Sequence, residues 1–237
     1  MKVKILNYTP NMEQMVATAA RVCYDKEGDI DNILESLTPE KTEKFLKKML
    51  TLQNHGTVWE HCTVTFGIEG VSRALSHQLV RHRAGCSYDQ RSQRYIREKQ
   101  FDYVVPDSIS KNPAAVTLFN RHMKDVQTLY DTLIEKYGVH QEDARAVLPN
   151  ACCTSLVVTM NLRALSHLWS LRCCTRAQKE IRTLANEMLR LCREEISPLI
   201  FNSMGAACKV QGFCPEGHMS CGAYPTLEEL KNASNQK

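Results

Sequence analysis

Residues 152–161, CCTSLVVTMN, read as the strongest strand in the chain, and 161–172, NLRALSHLWSLR, read as a helix sharing the same asparagine. Such a chain needs a sheet for the strand and a layer that buries the helix. Alternation makes MKVKILNY (1–8) a first strand and HCTVTFGIEG (61–70) another. TPNMEQMVATAARVCY (9–24) reads as a helix with Thr9 as N-cap and Pro10 at its first position. TPEKTEKFLKKMLTLQNHG (38–56) repeats the Thr-Pro start and stops at Gly56, and 25–38 between them reads as loop with some helix. Helical spacing in VSRALSHQLVRHR (71–83) gives a stripe of Val71, Leu75 and Leu79, with Gln78, Arg81 and His82 together on another face. A loop is expected after Gly85. A long amphipathic helix is expected over 111–138, a short one over 141–149 and a further one over 176–197. Residues 212–227 look irregular and the last residues frayed.

These elements mix without a regular βα alternation, and no glycine-rich turn follows a strand. A Rossmann fingerprint and a phosphate loop are therefore both absent. The expectation is an α+β fold, a mixed or antiparallel sheet packed by long helices. It occupies residues 1–205, and a Cys-rich irregular extension occupies 206–237.

No stretch approaches eighteen consecutive apolar residues, so no membrane span is expected. The N-terminus lacks the apolar run of a secretory signal, which predicts a cytoplasmic protein. The eleven cysteines are odd in number and include the adjacent pairs Cys152-Cys153 and Cys173-Cys174. Most are read as reduced, buried, small apolar residues. Cys208, Cys214, His218 and Cys221 are zinc-type ligands within fourteen residues, but not at the spacing of a zinc ribbon. No metal is assigned to them.

The net charge of +4 is too small to imply binding to nucleic acid or membrane. The cations are instead local. VRHRAGCSYDQRSQRYI (80–96) is crowded with arginines, and others recur at 145, 163, 172 and 176. Asp89 and Glu98 are the only acids close by in sequence. A planar guanidinium fork with serine hydroxyls beside it is an anion site; the competing reading is a solvated, salt-bridged helix end.

RHRAGCSYDQRSQRY closely resembles the signature of the flavin-dependent thymidylate synthases, in which Arg-His-Arg precedes a serine in a Ser-x-Arg-Tyr context. AARVCY (19–24), NHGTVWEH (54–61), DARAVLP (143–149), NLRALSHLWSLR (161–172) and RAQKEIR (176–182) resemble further segments of that family in the same order. One departure is an eighth residue between Arg-His-Arg and the serine, where the family usually has seven; it is placed within 84–86, because Gly85 absorbs an insertion cheaply.

The resemblance implies reductive methylation of dUMP to dTMP, with FAD as cofactor and methylenetetrahydrofolate and NADPH as co-substrates. It implies dUMP contacts at Gln78, Arg81, Gln90, Ser92, Gln93, Arg94, Arg145 and Arg172. Flavin contacts are implied at His55, Thr57, Glu60, Arg81, His82, Arg83, Gln90, Asn161, Arg163 and His167. Arg172 matches the catalytic position, where a fixed cation stabilises the anion formed at uracil N3. Ser92 is read as a phosphate donor and not as a nucleophile, since no Ser-His-acid order accompanies it. A homotetramer with sites between subunits is implied as well. The alternatives are a basic nucleic-acid-binding module and a zinc-stabilised interaction protein.

Overall fold

The computed structural model describes residues 1–52 and 56–235. In chain order the elements are β1 (Lys2–Tyr8), α1 (Met12–Val22), α2 (Ile30–Ser36), α3 (Pro39–Leu52), β2 (Thr63–Ser72), α4 (Arg73–Leu79) and β3 (Cys86–Gln90). Then come α5 (Asp107–Ser110), α6 (Pro113–Glu135), α7 (Gln141–Ala144), β4 (Cys153–Asn161), α8 (Leu162–Arg172) and α9 (Lys179–Glu195). The C-terminal segment adds α10 (Pro198–Phe201), α11 (Ala207–Gln211) and α12 (Leu227–Asn235). The strands form one antiparallel sheet in the order β1-β2-β4-β3. The α+β architecture is the one expected from the sequence.

Period-two burial builds β4: Thr154, Leu156, Val158 and Met160 are buried and the residues between them are not. In β2, Val64, Phe66 and Ile68 follow the same rule, but the next buried apolar residue is Val71. The phase slips by one at Gly70, whose φ of +67° is a conformation that suits glycine.

The chain divides into two compact units. The first comprises Met1–Val3, Gly67–Arg81 and Tyr88–Val158. Its core joins Phe101, Met123, Val126 and Cys152. Asn112 starts α6 by accepting from the amides of Ala114 and Ala115, with Pro113 inside the first turn. Helix α6 then holds the loop that follows β3. The Gln127 amide donates to Glu98 O at 2.9 Å, the Phe101 amide donates to Gln127 Oε1 at 3.0 Å, and Arg97 pairs with Asp131 and Glu135.

The second unit comprises Lys4–Phe66, His82–Ser87 and Thr159–Lys237. Here α8 packs on α9. Helix α9 buries Ile181, Leu184, Ala185, Met188, Leu189 and Cys192 along one face. Trp169 of α8 is fully buried, edge-on to Phe201 at 5.8 Å between ring centroids.

Several local expectations are corrected. Thr9 is not the N-cap of α1. Asn11 is, at φ +48° and without a side-chain hydrogen bond, while Thr9 pairs with Thr63 through its amide and its hydroxyl. The helix expected over 71–83 spans only Arg73–Leu79, capped by Ser72. Arg81 and His82 lie past its end, so they do not share a helical face with Gln78. The loop expected after Gly85 contains β3, whose sequence CSYDQ has no apolar alternation; ladder hydrogen bonding to β4 makes it a strand. Near the end of the chain Leu227–Asn235 form α12, and residues 236 and 237 lie outside the described residues. Cysteine burial is also less uniform than expected: Cys62, Cys152, Cys192 and Cys214 are buried, Cys23 and Cys221 are exposed, and the others lie between; none is in a disulfide.

Candidate active site

In the first unit, α4 and the turn after it, β3 and the loops after β3 and α7 carry Gln78, Arg81, Gln90, Ser92, Gln93, Arg94 and Arg145. The Gln90 amide nitrogen donates to Ser76 Oγ at 3.2 Å and Thr154 Oγ1 at 3.1 Å, which fixes its orientation. Gln93 is 6% exposed and donates to Cys152 Sγ. Ser92 Oγ accepts from the amides of Arg94 and Tyr95, so this hydroxyl shapes the turn carrying the arginine. Arg94 is exposed and donates from Nε to Glu142 Oε2 at 2.7 Å. The Gln141 amide nitrogen donates to Arg94 O at 2.8 Å, and Arg145 Nε donates to Glu142 O at 2.9 Å. Arg94 and Arg145 are thus both tied to Glu142, whose carboxyl is held below its usual range chiefly by the hydrogen bond from Arg94. The sequence reading missed Glu142, which lies three residues before Arg145 and one residue before the matched block 143–149.

In the second unit, β4 hands directly to α8. Asn161 closes the strand and caps the helix, its Oδ1 accepting from the Ala164 amide at 2.8 Å. The Asn161 amide packs against Gly85, which takes φ +70°; a Cβ there would fall 2.6 Å from Asn161 Oδ1. Arg163 on the first turn of α8 pairs with Glu60, and its guanidinium lies against Gly56. Thr57 and Glu60 belong to the 3-10 turn Thr57–His61. Arg83 is exposed beside the turn at Gly85. His55 lies outside the described residues.

His82 is 7% exposed, and its ring centroid lies 5.7 Å from that of His167. Arg172, on the last turn of α8, donates from Nε to His82 Nε2 at 3.1 Å. The imidazole nitrogen that accepts this bond carries a lone pair, so His82 is neutral with its proton on Nδ1. Its pKa is pushed down to about 4 by burial first, then by Arg172 and His167. Between about pH 6.5 and 4 the folded protein therefore binds fewer protons here than the unfolded chain. The stabilisation is complete above pH 6.5 and is lost as pH falls through the window. Melting temperatures from pH 8 to 4 are expected to fall more steeply for the wild type than for His82→Gln; parallel curves would refute this.

The sequence model of the family described as thymidylate synthase complementing protein matches residues 4–198. The chain belongs to this family. Among similar members, the flavin-dependent thymidylate synthase of Geobacter sulfurreducens is 48% identical over 97% of both chains. That of Clostridium tetani is 45% identical over 97% of this chain and 96% of its own. The fold is shared with solved structures at 22% identity. Thymidylate synthase ThyX from Helicobacter pylori, complexed with FAD and dUMP, has a TM-score of 0.64 over 86% of this chain and all of its own. The UMP/dUMP methylase PolB from Streptomyces cacaoi has a TM-score of 0.70 over 85% and 93%.

The residues present fit a flavin dinucleotide. Such a group needs donors for two phosphates and room for flat rings. Here Arg163 and His167 line a cavity of about 380 Å3 on one side of α8. Gly56 leaves the face of the Arg163 guanidinium uncovered by any side chain of its own, where a Cβ would come within 3.3 Å. Among the described residues no group of three or more His, Cys, Asp or Glu is arranged to hold a metal ion. No helix among them is long and apolar enough to cross a membrane.

Proposed function

We propose that the protein is a FAD-dependent thymidylate synthase that converts dUMP to dTMP, with methylenetetrahydrofolate as carbon donor and NADPH as reductant. The observation that carries this reading is the Arg172–His82 pair at the end of α8, in a chain of this family. Uracil C5 becomes nucleophilic when negative charge develops at N3 and delocalises into the ring. A guanidinium cannot remove that proton at ordinary pH. It stabilises the anion that results, and does so best when its orientation is fixed beforehand. His82 supplies the fixing, because it takes Nε and leaves the two terminal nitrogens of Arg172 at the end of the fork.

Arg94, Arg145 and the amides around Ser92 clamp the nucleotide phosphate, with Arg81 adding charge. Gln78 and Gln90 address the sugar hydroxyl and base edge with neutral donors and acceptors, while the buried Gln93 side chain, bonded to Cys152, holds the turn that carries Ser92 and Arg94. Arg163, His167, His82, Arg81, Arg83 and Gln90, with Asn161, Thr57, Glu60 and His55, hold the flavin. FAD, when bound, relays reducing equivalents from NADPH. We further read residues 1–205 as the catalytic domain and 206–237 as an extension. The protein works in the cytoplasm as a homotetramer whose sites form between subunits, and neither nucleic acid nor membrane takes part.

Visible absorption of the purified full chain tests this. Bound flavin, a spectral change on adding dUMP, and dTMP formation with both co-substrates are expected, from a particle of tetramer mass in light scattering. A protein that takes up no FAD would overturn the reading, and retention on nucleic acid instead would favour the basic-module alternative.

A further inference from the structure

We propose that the cavity between the end of α8 and the C-terminal extension is a thiol-redox site, in which Cys221 attacks a small disulfide and Cys174 then closes an internal disulfide with it. The cavity holds about 120 Å3, and five of the eleven cysteines line it: Cys173, Cys174, Cys208, Cys214 and Cys221. Cys173 and Cys174 follow α8, Cys208 is on α11, and Cys214 and Cys221 lie in the turns beyond it. The last three stand outside the family-matched residues 4–198, and no nucleotide or flavin contact is assigned to any of the five. The walls are fixed by packing of α11 on α8, by the Cys214 amide donating to Pro225 O at 2.7 Å, and by an ion pair of Arg176 with Glu216.

Buried thiols are ordinarily inert packing, and Cys173 and Cys214 are of that kind: burial pushes Cys173 up to about 11, and Cys214 is 7% exposed. Cys221 differs. It is exposed, and its thiol is held below the usual range first by the Thr175 hydroxyl and then by the Ala223 amide. Arg176 and Lys209 line the same cavity and add positive charge. An accessible thiol whose thiolate is stabilised is the nucleophile in disulfide exchange. Its partner follows from the chain. The hydroxyl that bonds Cys221 belongs to Thr175, the residue after Cys174, so the Cys174 thiol is one peptide unit from a group already touching the Cys221 sulfur. Cys208 stands close enough to Cys174 and Cys214 that both push its thiol up, after burial has done so. In the first step the Cys221 thiolate breaks the S–S bond of the small disulfide and one thiolate leaves. In the second the Cys174 thiolate attacks the Cys221 sulfur and expels the other. Two protein thiols give up two protons and two electrons, and the small disulfide becomes two thiols. The new bond ties the extension to the chain two residues past Arg172.

Oxidised glutathione is the probe. The folded full chain is treated with it, the remaining thiols are alkylated in denaturant, and the peptides are mapped by mass. The wild type is expected to lose two of its eleven thiols and to yield a Cys174–Cys221 disulfide that dithiothreitol reverses. Cys174→Ser should stop with glutathione held on Cys221, and Cys221→Ser should form neither product. Thr175→Val should slow the first step, because it removes the hydroxyl that stabilises the thiolate. Cys23→Ser, which removes an exposed thiol elsewhere, should behave as the wild type. Cavity thiols that stay unreacted in the folded protein, or glutathione shared equally between Cys23 and Cys221, would overturn the proposal. A bond from Cys221 to Cys208 or Cys214 would overturn the assignment of Cys174. Stoichiometric zinc that has to be removed before any oxidation occurs would overturn the redox site as well, since the thiols would then be metal ligands.

Discussion

Arg172→Ala is expected to lower the turnover number for thymidylate formation by about 10²–10³-fold, the loss typical of one preorganised donor to a developing anion. Flavin affinity should fall far less than turnover, because of the assigned flavin contacts only His82 bonds Arg172. Arg172→Lys should recover little: a point charge on a flexible stem cannot both bond His82 and present a planar fork. The structure adds a second readout. Arg172 is one cause of the low His82 pKa, after burial, so its removal should move the His82 titration up toward the ordinary imidazole value. NMR of labelled histidine would follow this directly. Normal turnover in the alanine variant would remove Arg172 from the mechanism; an unmoved His82 titration would separate the two side chains.

The second large effect is expected at Gly85. Its φ of +70° disfavours any L side chain by roughly 1–2 kcal/mol. A Cβ there would also collide with the Asn161 side chain, whose Oδ1 caps α8; losing such a cap costs about 0.5–2 kcal/mol. Gly85→Ala should thus lose roughly 1.5–4 kcal/mol of stability and lower the melting temperature by about 3–16 °C for a chain of this size. Gly138→Ala is the control. Gly138 has φ +67° and nothing within 4 Å of the added carbon, so only the backbone term applies. Equal melting temperatures for the two variants would show that the Asn161 contact contributes nothing. Flavin binding should fall in Gly85→Ala alone, because Asn161 is displaced only there.

Much of this protein is visible in one dimension. Where burial alternates every second residue, as at Leu156, Val158 and Met160, the strand is readable because the pleat imposes that period on the sequence. Helices α6, α8 and α9 are readable for the corresponding reason at 3.6 residues, and Asn112 and Asn161 mark two of their starts. The arginine-rich signature and its companion segments were legible too, since side-chain types at fixed spacing are a property of the chain itself.

Tertiary structure decided the rest. β3 has no apolar alternation, and only ladder hydrogen bonds to β4 make it a strand. Thr9 carries the right chemistry for an N-cap, but its hydroxyl and amide are taken by Thr63, fifty-four residues away. His82 reads as one more polar residue of a motif; its burial, its neutral state and its bond to Arg172 arise only when residues ninety apart in sequence are brought together. The sequence determined which groups are present and which segments become helices and the alternating strands. Packing determined which groups lose water and which find partners, because desolvation and hydrogen bonding act across space, at distances the order of residues does not encode.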